Sequence, residues 1–183
     1  MQDRMWTRGE ALRHPVFWLM VPALLGPAAW NTAFFFQQVH VAEAKGWAHL
    51  TLVSLFPLYT ATSVGFMLLA GGLVDRFGSG RLAAVYLLPM AAGYLVFALA
   101  GSVPVGALGI ALIGAGGGMH ATMMATFWAE VFGTRHLGAI RAAMAAVMVL
   151  GTALGPAITG ALIDLGLAFP VQAFGLAVYF LIC

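Results

Sequence analysis

The chain has 183 residues, of which 62% are hydrophobic and 8% are charged, and its formal net charge is +2. A soluble domain of this length could not bury so much apolar surface, so the sequence predicts an integral membrane protein in contact with lipid. Its few basic residues are scattered among separate loops, which argues against a nucleic-acid partner. The single cysteine, Cys183, excludes a disulfide framework and a cysteine metal cluster, and we expect neither metal nor cofactor.

Six apolar segments can be recognised, each judged against the roughly 20 residues that a helix needs to span a bilayer. They are predicted as transmembrane helices over residues 15–39, 50–74, 82–100, 103–132, 140–163 and 168–183. The last segment is shorter than a comfortable span, so we interpret it as truncated. Residues 1–14 form an amphipathic lead-in segment on the cytoplasmic side. The predicted fold class is therefore all-α integral membrane with six transmembrane helices.

The arginines predict the orientation of these helices. If the N-terminus lies inside, every arginine falls on the cytoplasmic side and the opposite loops carry only Lys45. The arginines are Arg4, Arg8, Arg13, Arg76, Arg81, Arg135 and Arg141. An even number of spans returns the C-terminus to the same side, so we expect both termini in the cytoplasm and a location in a bacterial cytoplasmic membrane.

A short, charged, glycine-rich loop joins the second and third predicted helices. It reads Gly71-x-x-x-Asp75-Arg76-x-Gly78-x-Gly80-Arg81. Its glycines permit a tight turn, and its charges can cap the ends of neighbouring helices. This loop resembles the signature loop of the major facilitator superfamily of secondary transporters. The alternative interpretation is a generic turn that follows the positive-inside rule.

Residues 130–141 resemble the link between the fourth and fifth helices of a major facilitator half. The flanking residues 6–13 and 37–47 are similar to the second half of carriers in the monocarboxylate and oxalate–formate group. The resemblance therefore implies the C-terminal six-helix half of a twelve-helix carrier, built as two inverted three-helix repeats.

The resemblance also implies a cytoplasmic gate motif in which ion pairs form in one state and break in the other. Its residues are Gly71, Asp75, Arg76, Gly78, Arg81, Glu130, Arg135 and Arg141. Within it, Glu130 and either Arg135 or Arg141 are expected to pair with Asp75 and Arg76. The alternative is a solvated surface pair that contributes about 0–1 kcal/mol.

Two groups of small residues predict close helix packing. Gly114 and Gly118 lie in the fourth segment, and Gly151 and Gly155 lie in the fifth, where Pro156 adds a bend. Glycines four residues apart share one helix face and let a neighbouring backbone approach closely.

Polar side chains near mid-membrane depth are the candidates for a substrate cavity. His120 stands out because an ionisable residue at this depth is costly and marks a functional site by default. The full set is Asn31, Gln38, Tyr59, Thr60, Ser63, His120, Met123 and Thr152. The alternatives are a neutral histidine bonded within the bundle, and hydroxyls bonded to their own helix. No lysine or arginine is predicted at depth, which counts against an acidic substrate.

The resemblance implies a secondary active transporter, or half of one, that moves a small solute by alternating access. An organic anion is a candidate solute, and a proton taken up by His120 is a candidate coupling ion. Because such carriers bind solute between two halves, the expected partner is a missing N-terminal half or a second copy. The alternatives are a non-transporting remnant or scaffold and an intramembrane serine protease. We expect no enzyme, because Ser79 lies in a loop and the last helix has no histidine.

Overall fold

The structure is a computed structural model that describes residues 6–183. Arg4 and the first part of the predicted lead-in segment lie outside the described residues. The helices, in chain order, are α1 Arg8–Arg13, α2 Pro15–Phe36, α3 Gln38–Lys45, α4 His49–Val53, α5 Phe56–Phe77, α6 Ser79–Leu82, α7 Leu88–Leu99, α8 Val103–Phe132, α9 Leu137–Asp164 and α10 Phe169–Ile182. The described part of the chain contains no strand.

Four helical segments among the described residues are long and apolar enough to cross a membrane. They are Pro15–Phe36, His49–Phe77, Val103–Phe132 and Leu137–Asp164. Two apolar helices, Leu88–Leu99 and Phe169–Ile182, are shorter than a typical span. The structure therefore supports an integral membrane protein with four full-length spans, where the sequence predicts six.

Three of the predicted segments are interrupted in the structure. The segment 82–100 becomes a helix only from Leu88, since residues 83–87 form turns and Pro89 occupies the first turn of α7. Proline favours the start of a helix because its missing N–H is not needed there. Pro57 likewise lies in the first turn of α5, which is separate from α4, and Gln37 ends α2 before α3.

Helix α8 lies at the centre of the bundle. It packs along α5 on one side and α7 on another, while α2 packs along α9 and α10 packs along α7. The buried core includes the large side chains Phe34, Tyr94, Phe97, Trp128 and Phe180. The bundle thus has three close helix pairs, α5 with α8, α7 with α8 and α2 with α9, and α10 packs along α7.

Glycines lie at the α5–α8 pair and at the α2–α9 pair. A Cβ atom at Gly118 would overlap the carbonyl oxygen of Ser63 in α5, and one at Gly155 would overlap the carbonyl oxygen of Ala29 in α2. Gly114 and Gly151 face the same two partner helices, and Pro156 lies within α9 beside this contact. Backbones in contact at these points leave no room for a side chain.

The two ends of the bundle are closed by specific contacts. At one end, the backbone N–H of Trp6 donates to the carbonyl of Phe132 at 3.1 Å, which docks the chain before α1 onto the end of α8. At the other end, the Lys45 ammonium donates to the carbonyls of Ala98 (2.8 Å) and Ala100 (2.9 Å). Partial burial lowers the pKa of Lys45 from its usual value. Lys45 therefore caps the carboxyl end of α7.

Candidate functional site

The 71–81 loop forms a junction between α5 and α6. α5 ends at Phe77, Gly78 has a φ of 80°, and α6 begins at Ser79. Only glycine adopts this positive φ without strain. The carboxylate of Glu130, near the end of α8, accepts hydrogen bonds from the Ser79 hydroxyl (2.6 Å) and backbone N–H (3.3 Å). Glu130 therefore caps the start of α6 and ties it to α8.

The charged residues predicted to form ion pairs do not pair with one another. Asp75 and Arg76 are exposed on α5, Glu130 is bonded at the start of α6, and the Arg141 guanidinium donates to the carbonyl of Ala125 in α8. Within the described part of the chain, no ion pair joins any two of these four charged residues. The predicted pairs are absent here because the carboxylate and the guanidinium each find a hydroxyl or backbone partner on an adjacent element.

The remaining predicted gate residues lie on the same end of the bundle. Gly71 has open space where a Cβ atom would lie, and Arg135 is exposed after α8. Arg81 lines a cavity of about 330 Å³ together with Phe77 and Met119. The structure thus brings the predicted gate residues to one end without joining them into one cluster.

A polar network crosses three helices near the middle of the bundle. The Asn31 amide in α2 donates to the Tyr59 hydroxyl in α5 at 3.4 Å. The hydroxyl of Tyr94 in α7 donates to the Asn31 side-chain oxygen at 3.0 Å. Asn31 and Tyr59, both candidates for the substrate cavity, are therefore joined in one network with Tyr94, a residue that the sequence analysis did not single out. A tyrosine inside an apolar helix signals a buried partner for its hydroxyl, and this signal was available.

His120 lies inside the bundle, with 7% of its surface exposed. Its ring stacks on that of Tyr86, with centroids 5.9 Å apart and planes 19° apart. The Tyr86 hydroxyl donates to the carbonyl of Ala23 at 3.0 Å. Neither ring nitrogen of His120 has a hydrogen-bond partner within residues 6–183. Met123, one turn further along α8, is fully buried. Both side chains thus face the interior of this helix bundle.

The other predicted cavity residues are spread over separate surfaces. Thr60 and Thr152 are exposed, and each donates to a carbonyl three or four residues earlier in its own helix. Ser63 is half-buried between α5 and α8, and Gln38 is half-buried at the start of α3. None of the eight predicted residues lines the cavity beside Arg81 or the cavity between α8 and α9.

A cavity of about 250 Å³ lies between α8 and α9. It is lined by Ala121, Met124, Ala125, Trp128, Arg141, Met144, Ala145 and Met148. Arg141 reaches it from the first turns of α9, and its bond to Ala125 places the guanidinium about two turns inside the end of α8. The indole N–H of Trp128, which is 1% exposed, has no acceptor in the described part of the chain. We call this site the Arg141 cavity.

Sequence reasoning placed Arg141 in a gate and missed the rest of this cavity. The missed signal is a repeat at helical spacing, with Met124 and Trp128 on α8 and Met144 and Met148 on α9. Side chains four residues apart share one helix face. Met124 and Trp128 therefore share a face of α8, and Met144 and Met148 share a face of α9. The spacing alone does not predict that these two faces meet.

The model of one family, the Major Facilitator Superfamily, matches the chain over residues 3–156 and again over residues 55–183. The chain belongs to the major facilitator superfamily. The resemblance carried by the 71–81 loop and by residues 130–141 is confirmed at the level of the superfamily. No curated protein matches the chain significantly.

Membership in the major facilitator superfamily makes the chain a membrane transporter of that type, in contact with the lipid bilayer and with a small solute. It also favours transport over the protease alternative, since members of this superfamily are transporters. The apolar spans and the superfamily agree that the protein is integral to the membrane.

Proposed function

We propose that the chain is the second, C-terminal six-helix half of a secondary active carrier of the monocarboxylate and oxalate–formate type, and that it moves a small organic anion by alternating access. The observation that carries the choice of solute is the Arg141 cavity. A cation at membrane depth is costly unless it serves a ligand or a relay. Here the Arg141 guanidinium reaches a cavity that no acidic residue lines.

The chemistry of this cavity suits a small anion with an apolar body. The guanidinium only donates hydrogen bonds, so a ligand that binds it must accept. Arginine binds carboxylates and similar groups through charge-assisted bonds. Methionine side chains are polarizable and adapt to irregular apolar surfaces. The absence of lysine and arginine from the middle of the predicted spans counts less against an acidic substrate, because the Arg141 side chain extends from the first turns of α9 to the Ala125 carbonyl in α8.

The helix pairing supports two inverted three-helix repeats. If α2, α5 and α7 form one repeat and α8, α9 and α10 the other, exchanging the repeats turns the α2–α9 pair into the α8–α5 pair. Both of these pairs are close helix contacts at glycines. A repeat related by an axis in the membrane plane would produce such a correspondence. In this proposal the short helices α7 and α10 complete the six spans.

The exposed faces of α5 and α9 support a partner unit. Among the 18 most apolar consecutive residues of each span, 6% are buried in His49–Phe77 and 17% in α9. In α8 the buried share is 56%. We propose that these faces meet the missing N-terminal half or a second copy across the solute pathway. Asp75 and Arg135, exposed and without ion pairs among the described residues, would serve as gate residues toward that partner.

A proton is the proposed coupling ion, with His120 as its acceptor. His120 is the one histidine among the described residues that is buried, and its ring nitrogens have no partner within the bundle. If His120 takes up the driving proton, His120→Gln abolishes the stimulation of uptake by an imposed pH gradient while leaving exchange of solute in place.

We place the arginine-bearing ends and both termini in the cytoplasm of a bacterial cell, following the positive-inside rule.

The test of the proposed function is uptake into proteoliposomes that contain the purified chain. Lactate, oxalate and benzenesulfonate serve as labelled anions, and benzenesulfonamide serves as the neutral counterpart of the last. We expect saturable uptake of at least one anion and none of the amide. Arg141→Gln should lower that uptake about tenfold or more, the effect of losing a hydrogen bond to a charged group. Arg141→Lys should restore part of it.

Arg135→Gln is the matched control, because Arg135 is an exposed cation of the same connection that does not line the cavity. Equal uptake in the wild type and Arg141→Gln would overturn the role of the cavity. Absence of any uptake, with the protein folded and reconstituted, would favour the remnant or scaffold alternative.

A further inference from the structure

The cavity of about 330 Å³ at the arginine-bearing end lies between α5, α6, the turn that follows α6, and α8. Its lining consists of Leu73, Phe77, Arg81, Leu82, Val85 and Met119, and we call it the Arg81 cavity. The rim is open to the surface, since Leu73, Phe77 and Val85 are 37%, 46% and 44% exposed. The Arg81 cavity therefore combines one cation with walls that are otherwise apolar.

The Arg81 cavity extends from the end of the bundle toward its middle. Ser79 lies level with Glu130 of α8, because the Glu130 carboxylate accepts hydrogen bonds from the Ser79 hydroxyl and N–H. Met119 lies on α8 about three turns before Glu130, which corresponds to about 16 Å along the helix axis. The lining thus reaches from a cation near the end of the bundle to a buried methionine deeper in the span.

The rim of this cavity is positively charged. The side chain of Arg81 is exposed and has no hydrogen bond or ion pair among the described residues. A second guanidinium lies close by, since that of Arg76 is 5.3 Å from the centroid of the Phe77 ring. Asp75 lies on another face of α5, because at 3.6 residues per turn it is about 160° around the helix from both Leu73 and Phe77. Two cations therefore adjoin the rim, and no acidic residue belongs to the lining.

We propose that the Arg81 cavity binds an anionic phospholipid, with its phosphate at Arg81 and one acyl chain along the apolar walls. Guanidinium groups bind phosphate oxygens through charge-assisted hydrogen bonds, and basic residues beside membrane spans attract anionic lipids. Glu130 does not compete for Arg81, since its carboxylate is bonded to Ser79.

The same features disfavour other occupants. A free phosphate would leave the apolar walls without a ligand, and a zwitterionic lipid would bring a cation of its own beside the two arginines. The cation and the apolar walls together therefore select an amphiphile whose headgroup is negatively charged.

The experiment is photolabelling of the purified, delipidated full chain with a phosphatidylglycerol that bears a diazirine in one acyl chain. Mass spectrometry of the labelled peptides then locates the lipid. We expect saturable labelling concentrated in residues 73–85 and at Met119. Unlabelled dioleoylphosphatidylglycerol should compete about tenfold better than dioleoylphosphatidylcholine, since the latter carries no net charge.

Three outcomes would overturn the proposal. Labelling spread evenly over the lipid-facing surface would mean that no lipid site exists here. Equal competition by the two unlabelled lipids would remove the role of the charge. Competition by inorganic phosphate at the same concentration would identify a site for a free anion in place of a lipid.

Arg81→Gln tests the cation. Half-saturation of the labelling should require about tenfold more phosphatidylglycerol, the effect of losing a hydrogen bond to a charged group. Arg81→Lys should restore part of the binding, because it keeps the charge. Arg13→Gln is the matched control, since Arg13 is an exposed cation that does not line the cavity. It lies at the same end of the bundle, in the helix that follows the contact between Trp6 and Phe132.

Val85→Trp tests the apolar walls. Because Val85 lines the cavity and is 44% exposed, a larger ring can fill the cavity without displacing a buried side chain. Labelling should fall about fivefold, since added volume is penalised at a packed contact. Val105→Trp is the control, at a valine of α8 that is 42% exposed and outside the lining.

Unchanged labelling in Arg81→Gln or in Val85→Trp, with the variant eluting as a folded protein in size-exclusion chromatography, would overturn the proposal. None of these readouts depends on uptake of the anions proposed above.

Discussion

Helices α8 and α9 are similar in length, yet the more hydrophobic of the two is the less buried. α8 has 30 residues and its most apolar window has a mean hydropathy of 1.4, with 56% of that window buried. α9 has 28 residues and a value of 1.9, with 17% buried. In a water-soluble protein, the more hydrophobic helix would be expected to be the more buried one. In lipid, hydrophobicity gives no reason for a helix to leave the solvent, so another property decides which helix becomes the centre.

That property is the distribution of small residues around each helix. On α8, Gly109 and Gly116 meet α7, while Gly114 and Gly118 meet α5, so two faces admit close backbones. On α9 the close approach is confined to the side that faces α2. Packing gained through close approach replaces the hydrophobic driving force inside a membrane. The outward face of α9 therefore takes no part in the close packing of this bundle.

The largest effect is expected from a substitution at the centre of the bundle. Gly118→Leu should prevent folding, because the new side chain must displace the Ser63 carbonyl of α5, at a cost of more than about 4 kcal/mol. Gly65→Leu, on the exposed face of α5, should be tolerated. Size-exclusion profiles in detergent and thermal unfolding of both variants measure the difference. Two equally stable variants would contradict the close α5–α8 contact.

The exposed face of α9 is expected to tolerate a larger side chain in folding but not in transport. Ala153 is exposed on α9, so Ala153→Leu should leave the unfolding temperature unchanged. If this face meets a partner unit, the larger side chain should lower solute uptake about tenfold, since added volume at a packed contact costs about 1–3 kcal/mol. Ala92→Leu, exposed on α7, is the control and should not change uptake. Unchanged uptake in both variants would mean that the α9 face meets only lipid.

The smallest expected effect concerns the contact between the end of α8 and the 71–81 loop. Ser79→Ala removes the hydroxyl that donates to Glu130 but keeps the backbone N–H bond, so we expect a loss of about 1 kcal/mol in local stability. Hydrogen–deuterium exchange of the amides in residues 78–82 should be about fivefold faster. Ser54→Ala, which loses only a bond within its own turn, is the control. If exchange is the same in the variant and the wild type, Glu130 does not hold α6.

Much of the candidate site could not have been predicted from the sequence, and two residues show why. Arg141 is predicted at the cytoplasmic start of the fifth helix, yet its long side chain extends back along α8 to Ala125. His120 was expected at a cavity because of its depth, yet it stacks on Tyr86 inside the bundle. Depth along a helix can be counted in residues, whereas the direction in which a side chain points around the helix depends on which neighbours pack there.

The sequence by itself determined that the protein is helical, integral to the membrane and a member of the major facilitator superfamily. Composition, the length of the apolar runs and the 71–81 loop are local properties that need no knowledge of neighbours. Only the three-dimensional packing places α8 at the centre, joins Tyr94 to Asn31 in a network, and brings Arg141 to a cavity between α8 and α9. These features depend on which small residues, far apart in the chain, come into contact. Hydropathy does not predict such contacts, because lipid and the protein interior are equally apolar.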